Sequence, residues 1–504
     1  MVRCGKRYEI QWQRSQNYSC QLITFTHKKS FLSIRGRYIQ LLFATRKRRR
    51  AAYIGQMDQA SSQALIRFGL GAGPQDAATA DPRGALKAQL QGPDPGQAAG
   101  AFDGLPTGLD AVNTTQADIA ARKAARLNPP PPDTKVGLQG QALYVADVAA
   151  QFGWAASTPY GFRERLVWFW ANHFTVSKLQ GDTAALIGPM IREAIRPHVT
   201  GNFTDMVLAA ERHPAMLRYL ANADSIGPDS IAGIRTGKGL NENLGRECME
   251  LHTAGLAAGY SQADVTAMAN ILTGWSFADS TGGGDATGFK YRPAFHQPGP
   301  QTVLGQPFDG GEQAGVDALT YLSTYPTTYQ LLATKLVTHF VADQPPPAAI
   351  SRIAGVLRDT GGNLGAASAA LVDLPEAWTP LTKLKTPQEF VISVVRAAAA
   401  NPPPNYPGIL NQLGQPVWAA PLPNGWPDQA AVWAGSDAMM ARIGWAYTFS
   451  GRFDAGDTGP QPADIATAAL GSLLRPATAT AIGHAASRRE ALTLLFSAPE
   501  FARR

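Results

Sequence analysis

Residues 241–255 read NENLGRECMELHTAG and carry three glutamates, an arginine, a cysteine and a histidine. Carboxylates at this density can serve as general acids or bases, and with histidine as ligands to a divalent ion. The same residues can also be an ordinary helix with its charges paired. Asn241 is a capping residue and Gly255 a helix terminator. Leu244, Cys248 and Leu251 repeat at i, i+4, i+7 and mark the inward face, while Glu242, Arg246 and Glu250 form an i, i+4, i+8 ion-pair ladder. Asn243 and Glu247 are left over, on the stripe beside the apolar row. At about 100° per residue on an α-helix, His252 falls roughly 140° round from Glu247, so one ion does not take both. The zincin pattern of two histidines four apart is absent, as is a doubled Glu-x-x-His. No metal ligands are assigned, and no cofactor.

Three further segments carry candidates. WFWANHFTVS (168–177) contains Trp170, Asn172 and His173. An aromatic stripe at helical spacing is first of all core, although an Asn–His pair beside tryptophans can orient a ligand. FHQPGPQTVLG (295–305) places His296 before a Pro/Gly turn, where histidine either ties the turn or works on a ligand. GQPVWAAPLPNGWPDQAAVW (414–433) holds Trp418, Trp426 and Trp433 on a proline-rich loop, able to stack a ligand or to pin the loop. The candidate catalytic residues are therefore Glu247, His173 and His296. The candidate ligand-binding residues are Asn172, Asn243, Glu250, His252, Trp170 and Trp426. The nucleophile elbow, the phosphate-binding loop and the EF-hand loop have no match.

The elements that must position these residues are helices. RERLVWFWANHF, TDMVLAAERHPAMLRYLANA, SQADVTAMANILTGW, YQLLATKLVTHFVAD and PQEFVISVVRAAAA each show helical apolar spacing, with Ser261, Pro214 and Pro387 at or near three of the starts. TVLGQPF (302–308) is a short strand or an extended arm. The fold expected is all-α: a large multi-helix body with Pro/Gly-rich loops and little or no sheet. A main helical domain over 57–426 and a helical subdomain over 427–504, packed on the main body, are expected.

The net charge of +7 does not describe that body. Residues 1–56 hold 13 Lys and Arg against Glu9 alone, a net +12, which leaves −5 for the remainder. Three readings of this basic segment stand: a presequence, a nucleic-acid arm, or translated upstream sequence with Met57 as the natural start. The last is preferred, with 1–56 outside the fold. No nucleic acid is then expected on the body, and no membrane span or signal peptide is read. The compartment is cytoplasmic by default, periplasmic only if the chain is exported with a partner. Beyond residue 56 only Cys248 remains, so no internal disulfide and no multi-cysteine zinc site is expected.

Together ALIRFGLGAGP, RLVWFWANHFTVS, AAERHPAMLRYL, NENLGRECMELHTAGLAAGYSQADVTAMANILTGWSF, FHQPGPQTVLG, LATKLVTHFVADQPPP, LPEAW, KLKTPQEFVISVVRA, NGWPD and FSAPEFARR resemble the bacterial domain-of-unknown-function 1800 family over roughly residues 57–504. Gly245 and Cys248 depart from it, standing where the family more usually has Ala and Leu or Ile. The resemblance implies a bacterial, mostly helical protein and no particular reaction. It also implies a partner, a protein of the domain-of-unknown-function 1501 family with an alkaline-phosphatase-like fold. Two functions follow as expectations: a binding or scaffold protein acting with that hydrolase-like partner, or a metal-assisted or acid–base hydrolase with a His/Glu pocket.

Overall fold

The computed structural model describes residues 57–131, 133–453 and 459–504; the basic segment 1–56 lies outside them. The described chain is mostly helical, as expected, with two small antiparallel hairpins. In the first, β1 (Trp275–Phe277) pairs with β2 (Phe289–Tyr291). In the second, β3 (Gln301–Val303) pairs with β4 (Gln306–Phe308). The segment 302–308 is thus a hairpin. Leu304 and Gly305 turn it with φ of 48° and 79°, the sign that a two-residue primed turn requires at both positions. No helix among the described residues is long and apolar enough to cross a membrane.

Helix starts follow local chemistry. Thr107, Ser261 and Thr386 each form a full capping box with the acid three residues on, which satisfies two N–H groups at each start. Asp81, Asp94 and Asn202 cap with one side-chain oxygen each.

Two apolar clusters fill the body. The larger gathers the inward faces of helices Gly161–His173, Phe203–Arg212, Gln262–Leu272, Glu312–Ser323 and Pro326–Phe340. The smaller joins Tyr144, Val148 and Phe152 to helix Pro387–Ala397 and to the helices that follow, through Phe449, Leu492 and Phe496. Helix Gly161–His173 lies on the seam: Leu166 and Phe169 belong to the larger cluster, while Trp168 packs on the smaller.

Among the described residues a helix widens into a π-turn in three places, at Ala64–Phe68, Ile191–Ile195 and Cys248–His252. Such turns bond i to i+5 and re-aim side chains relative to an α-helix. The third continues helix Asn243–Glu247, so 241–255 is not one α-helix.

Helix Asn243–Glu247 crosses Gln262–Leu272 at Gly245. A Cβ at Gly245 would lie 2.7 Å from the backbone nitrogen of Ala269 and 3.0 Å from its Cα. Backbone atoms cannot swing aside as a side chain can, so the two helices would have to separate. Gly245→Ala is therefore expected to cost about 1–3 kcal/mol, read from the urea-denaturation midpoint. Unchanged stability would show that the crossing is loose.

Candidate functional site

Five segments distant in sequence meet at the seam in one buried charge network. Arg165 pairs with Glu389 and donates to Gly69 O at 2.7 Å. Arg504 pairs with the other oxygen of Glu389 at 2.9 Å and reaches Asp428 at 3.4 Å. Asp428 accepts from His339 Nδ1 at 2.7 Å, and His339 Nε2 faces Arg165 Nε at 3.3 Å. Glu389 also closes the capping box of its own helix, accepting from Thr386 N–H at 2.8 Å. Nearby, Arg67 donates to Val341 O at 2.9 Å and to Thr379 and Pro380 O at 2.8 and 3.0 Å.

Burial opposes ionisation of Glu389, but Arg165 and Arg504 overcome it and hold its pKa down at about 2. Burial likewise opposes ionisation of Asp428, and His339 with Arg504 holds it well below the usual carboxylate range. Burial lowers His339 to about 4, despite Asp428 beside it. Lys385, buried with its ammonium on Phe501 O at 2.7 Å, is lowered by burial to about 7.

Above this network lies a cavity of about 130 Å³. Its walls come from both apolar clusters, including Phe152 and Tyr406 from one and Phe169 and Phe174 from the other. His339, Glu389 and Asp428 form part of its lining, as do Trp168, Trp418 and Trp426. Asn172 clamps the tryptophan loop by two bonds, donating to Trp426 O at 2.9 Å and accepting from Trp426 N–H at 2.8 Å. The clamp needs Gly425 (φ 78°), where a Cβ would lie 2.5 Å from Asn172 O. Trp418 is held at φ 48°, an uncommon conformation for a large side chain, with its ring edge-on to Tyr144.

A second buried group lies beneath the π-turn. His252 Nδ1 meets Glu211 Oε1 at 2.6 Å, and one donor atom each from Glu211, Cys248 and His252 fall within 4.8 Å of one another. His173 donates through Nε2 to His252 O at 3.1 Å, and its Nδ1 accepts from Lys335 Nζ, also at 3.1 Å. Burial, and then the Lys335 charge, push His173 well below its ordinary pKa, while burial lowers Lys335 to about 8. His173 and Lys335 thus brace this group.

The sequence-predicted candidates divide accordingly. Asn172 and Trp426 come together at the cavity. His173, His252 and Glu247 gather at the π-turn. Trp170 is core, 1% exposed and packed on Phe169, His173 and Phe203. His296 sits apart: it accepts from Gly311 N–H at 2.7 Å through Nε2 and donates through Nδ1 to Thr273 O at 2.9 Å, tying its loop. Asn243 is exposed, and Glu250 accepts from Tyr260 OH at 2.8 Å. Arg246 pairs with Glu242 at 3.3 Å on the surface, so the ladder stops after one rung.

Glu247, left over beside the apolar row, meets no arginine and no histidine distant in sequence by a hydrogen bond or ion pair among the described residues. It is half-buried and makes no hydrogen bond or ion pair among the described residues. Burial raises its pKa; its charged neighbours are His252, Glu250, Arg246 and, across the helix, Glu211. Glu247 is not among the residues whose ligand atoms converge with those of His252, in keeping with their expected separation, although a π-turn rather than a regular α-helix lies between them.

The fold and this seam define a large helical protein with a ring-sized pocket over a buried charge network. The chain belongs to the family described as protein of unknown function (DUF1800), whose family model matches residues 63–503. No curated protein and no solved structure matches it.

Two outcomes test the network. Arg504→Ala strands Glu389 and Asp428 beside one fewer cation and is expected to cost about 3–5 kcal/mol by chemical denaturation; a loss under about 1 kcal/mol would place the pair in effective contact with water. For pH, Glu389 and His339 have the same sign. In each case the unfolded chain holds a proton that the folded chain has released, from about 2 to the ordinary 4.5 for Glu389 and from about 4 to 6.5 for His339. Stability should therefore climb as pH rises from about 2 to about 6.5. A denaturation midpoint that is flat across that window would show that neither shift exists.

Proposed function

We propose that this chain is a binding protein whose seam pocket seats one apolar ring-sized group, and that it works as a scaffold for a partner protein that supplies such a group. The observation that carries this reading is the pocket itself. A cavity of about 130 Å³ is close to the ~150 Å³ of apolar cavities that accept benzene. Three tryptophans line it, one of them at a strained backbone angle, and binding sites are where such strain collects. Fully desolvated pockets with aromatic walls are also where partner side chains anchor.

The acid–base alternative fits this pocket less well. Both nitrogens of His339 and both oxygens of Glu389 are already engaged, so proton transfer to a substrate would first have to break the network. A partner is further supported by an exposed apolar stripe, Met440, Ile443 and Tyr447, on helix Ser436–Ser450. The first partner to test is the alkaline-phosphatase-like protein of the domain-of-unknown-function 1501 family that the family resemblance implies.

The pocket is tested with indole as probe. Indole should raise the melting temperature of the full chain in a concentration-dependent way, as a ligand of the folded state must. Ala171→Phe, which places a ring in the cavity from its wall, should abolish that rise while the variant stays folded. Equal stabilisation of both proteins, or of neither, would rule the pocket out.

A further inference from the structure

We propose that Glu211, Cys248 and His252 form a binding site for a soft divalent transition-metal ion of the zinc class. This site lies outside the seam pocket and does not depend on the reading of that pocket.

The donor set is the first observation. A thiol, an imidazole and a carboxylate each present one ligand atom within 4.8 Å of the others, and this N/O/S mixture suits zinc among the common divalent ions. All three side chains are fully buried, none more than 1% exposed. The second observation is independent of the first. Glu211 Oε2 is buried, and apart from the Cys248 thiol beside that carboxylate it has no hydrogen-bond partner among the described residues. Buried polar atoms are nearly always satisfied, and a bound ion is one of the few explanations for those that are not.

Charge gives the third argument. On a divalent ion a coordinating thiol loses its proton. Thiolate and carboxylate then carry two negative charges, which the ion cancels. The group becomes neutral in a dry site, where an isolated carboxylate is costly.

The turn is held for the purpose. His173 donates to the carbonyl of His252, and Thr253 Oγ1 donates to the carbonyl of Cys248. The backbone that presents two of the three ligands is thereby fixed before any ion arrives.

The test uses the full chain carrying Cys4→Ser and Cys20→Ser, which leaves Cys248 as its sole thiol. After loading with zinc chloride and desalting, elemental analysis should give about one equivalent of zinc per chain. Loading with cobalt chloride should produce a thiolate-to-cobalt charge-transfer band, which in this background only Cys248 can supply. Adding Cys248→Ser, close in shape, should remove the band and weaken zinc binding by at least about tenfold, with the circular dichroism spectrum unchanged. A folded background protein that takes up cobalt without the band, or takes up neither metal, overturns the site and leaves a proton-sharing cluster. Equal zinc retention after Cys248→Ser overturns it as well. If that variant does not fold, the cobalt band in the background protein decides alone.

Discussion

The arrangement depends on one constraint: Glu389 is a carboxylate in the interior and must be surrounded by cations. Taking such an ion out of water costs several kcal/mol, and only good geometry with several donors recovers it. Two guanidiniums, Arg165 and Arg504, and the N–H of Thr386 provide that geometry. Each cation in turn needs its own compensation. Arg165 finds Gly69 O, and Arg504 finds Asp428 and the carbonyl of His339. Asp428 then holds His339. Satisfying one buried charge therefore draws together segments near residues 69, 165, 339, 389, 428 and 504. The two apolar clusters meet at that point because the chain is tied there. The cavity is a consequence: side chains committed to the network cannot also fill the space above it.

The three π-turns are a second expression of polar groups inside. Arg67 lies on the first, and spends its guanidinium on four carbonyls. Arg192 lies on the second and pairs with the buried Asp147. Cys248 and His252 lie on the third. In each case the widened turn carries a polar side chain into an apolar layer, where a regular helix would place the stripe differently.

This explains which parts of the molecule were legible in the sequence. Helix positions follow from apolar spacing and caps, both local, and these matched outside 241–255, where Glu242 rather than Asn241 stands at the helix start and the π-turn ends before Gly255. Asn172 and Trp426 were legible as candidates because their residue types were unusual for their segments. Glu211 was not, since one glutamate in AAERHPAMLRYL looks like any surface acid until His252 is placed against it. The network was equally hidden. Arg165, His339, Glu389, Asp428 and Arg504 sit in five separate segments, each with an innocuous local reading. Only the chain's path brings them within hydrogen-bonding distance. The π-turn at Cys248–His252 was not legible either, because its apolar row Leu244, Cys248 and Leu251 also suits a period of about 3.6.

Helix Pro326–Phe340 joins the two sites. It sends His339 into the seam network and Lys335, one turn earlier, onto His173 and the carbonyl of Leu251 in the π-turn. The lowered Lys335 is attracted by Asp428 at the same time. A single helix thus carries a cation for one site and an imidazole for the other, at i and i+4 on one face. Any shift of that helix must alter both His339–Asp428 and Lys335–His173. One helix of fifteen residues thereby touches the seam network through His339 and braces the Glu211–Cys248–His252 group through Lys335 and His173, although no residue belongs to both.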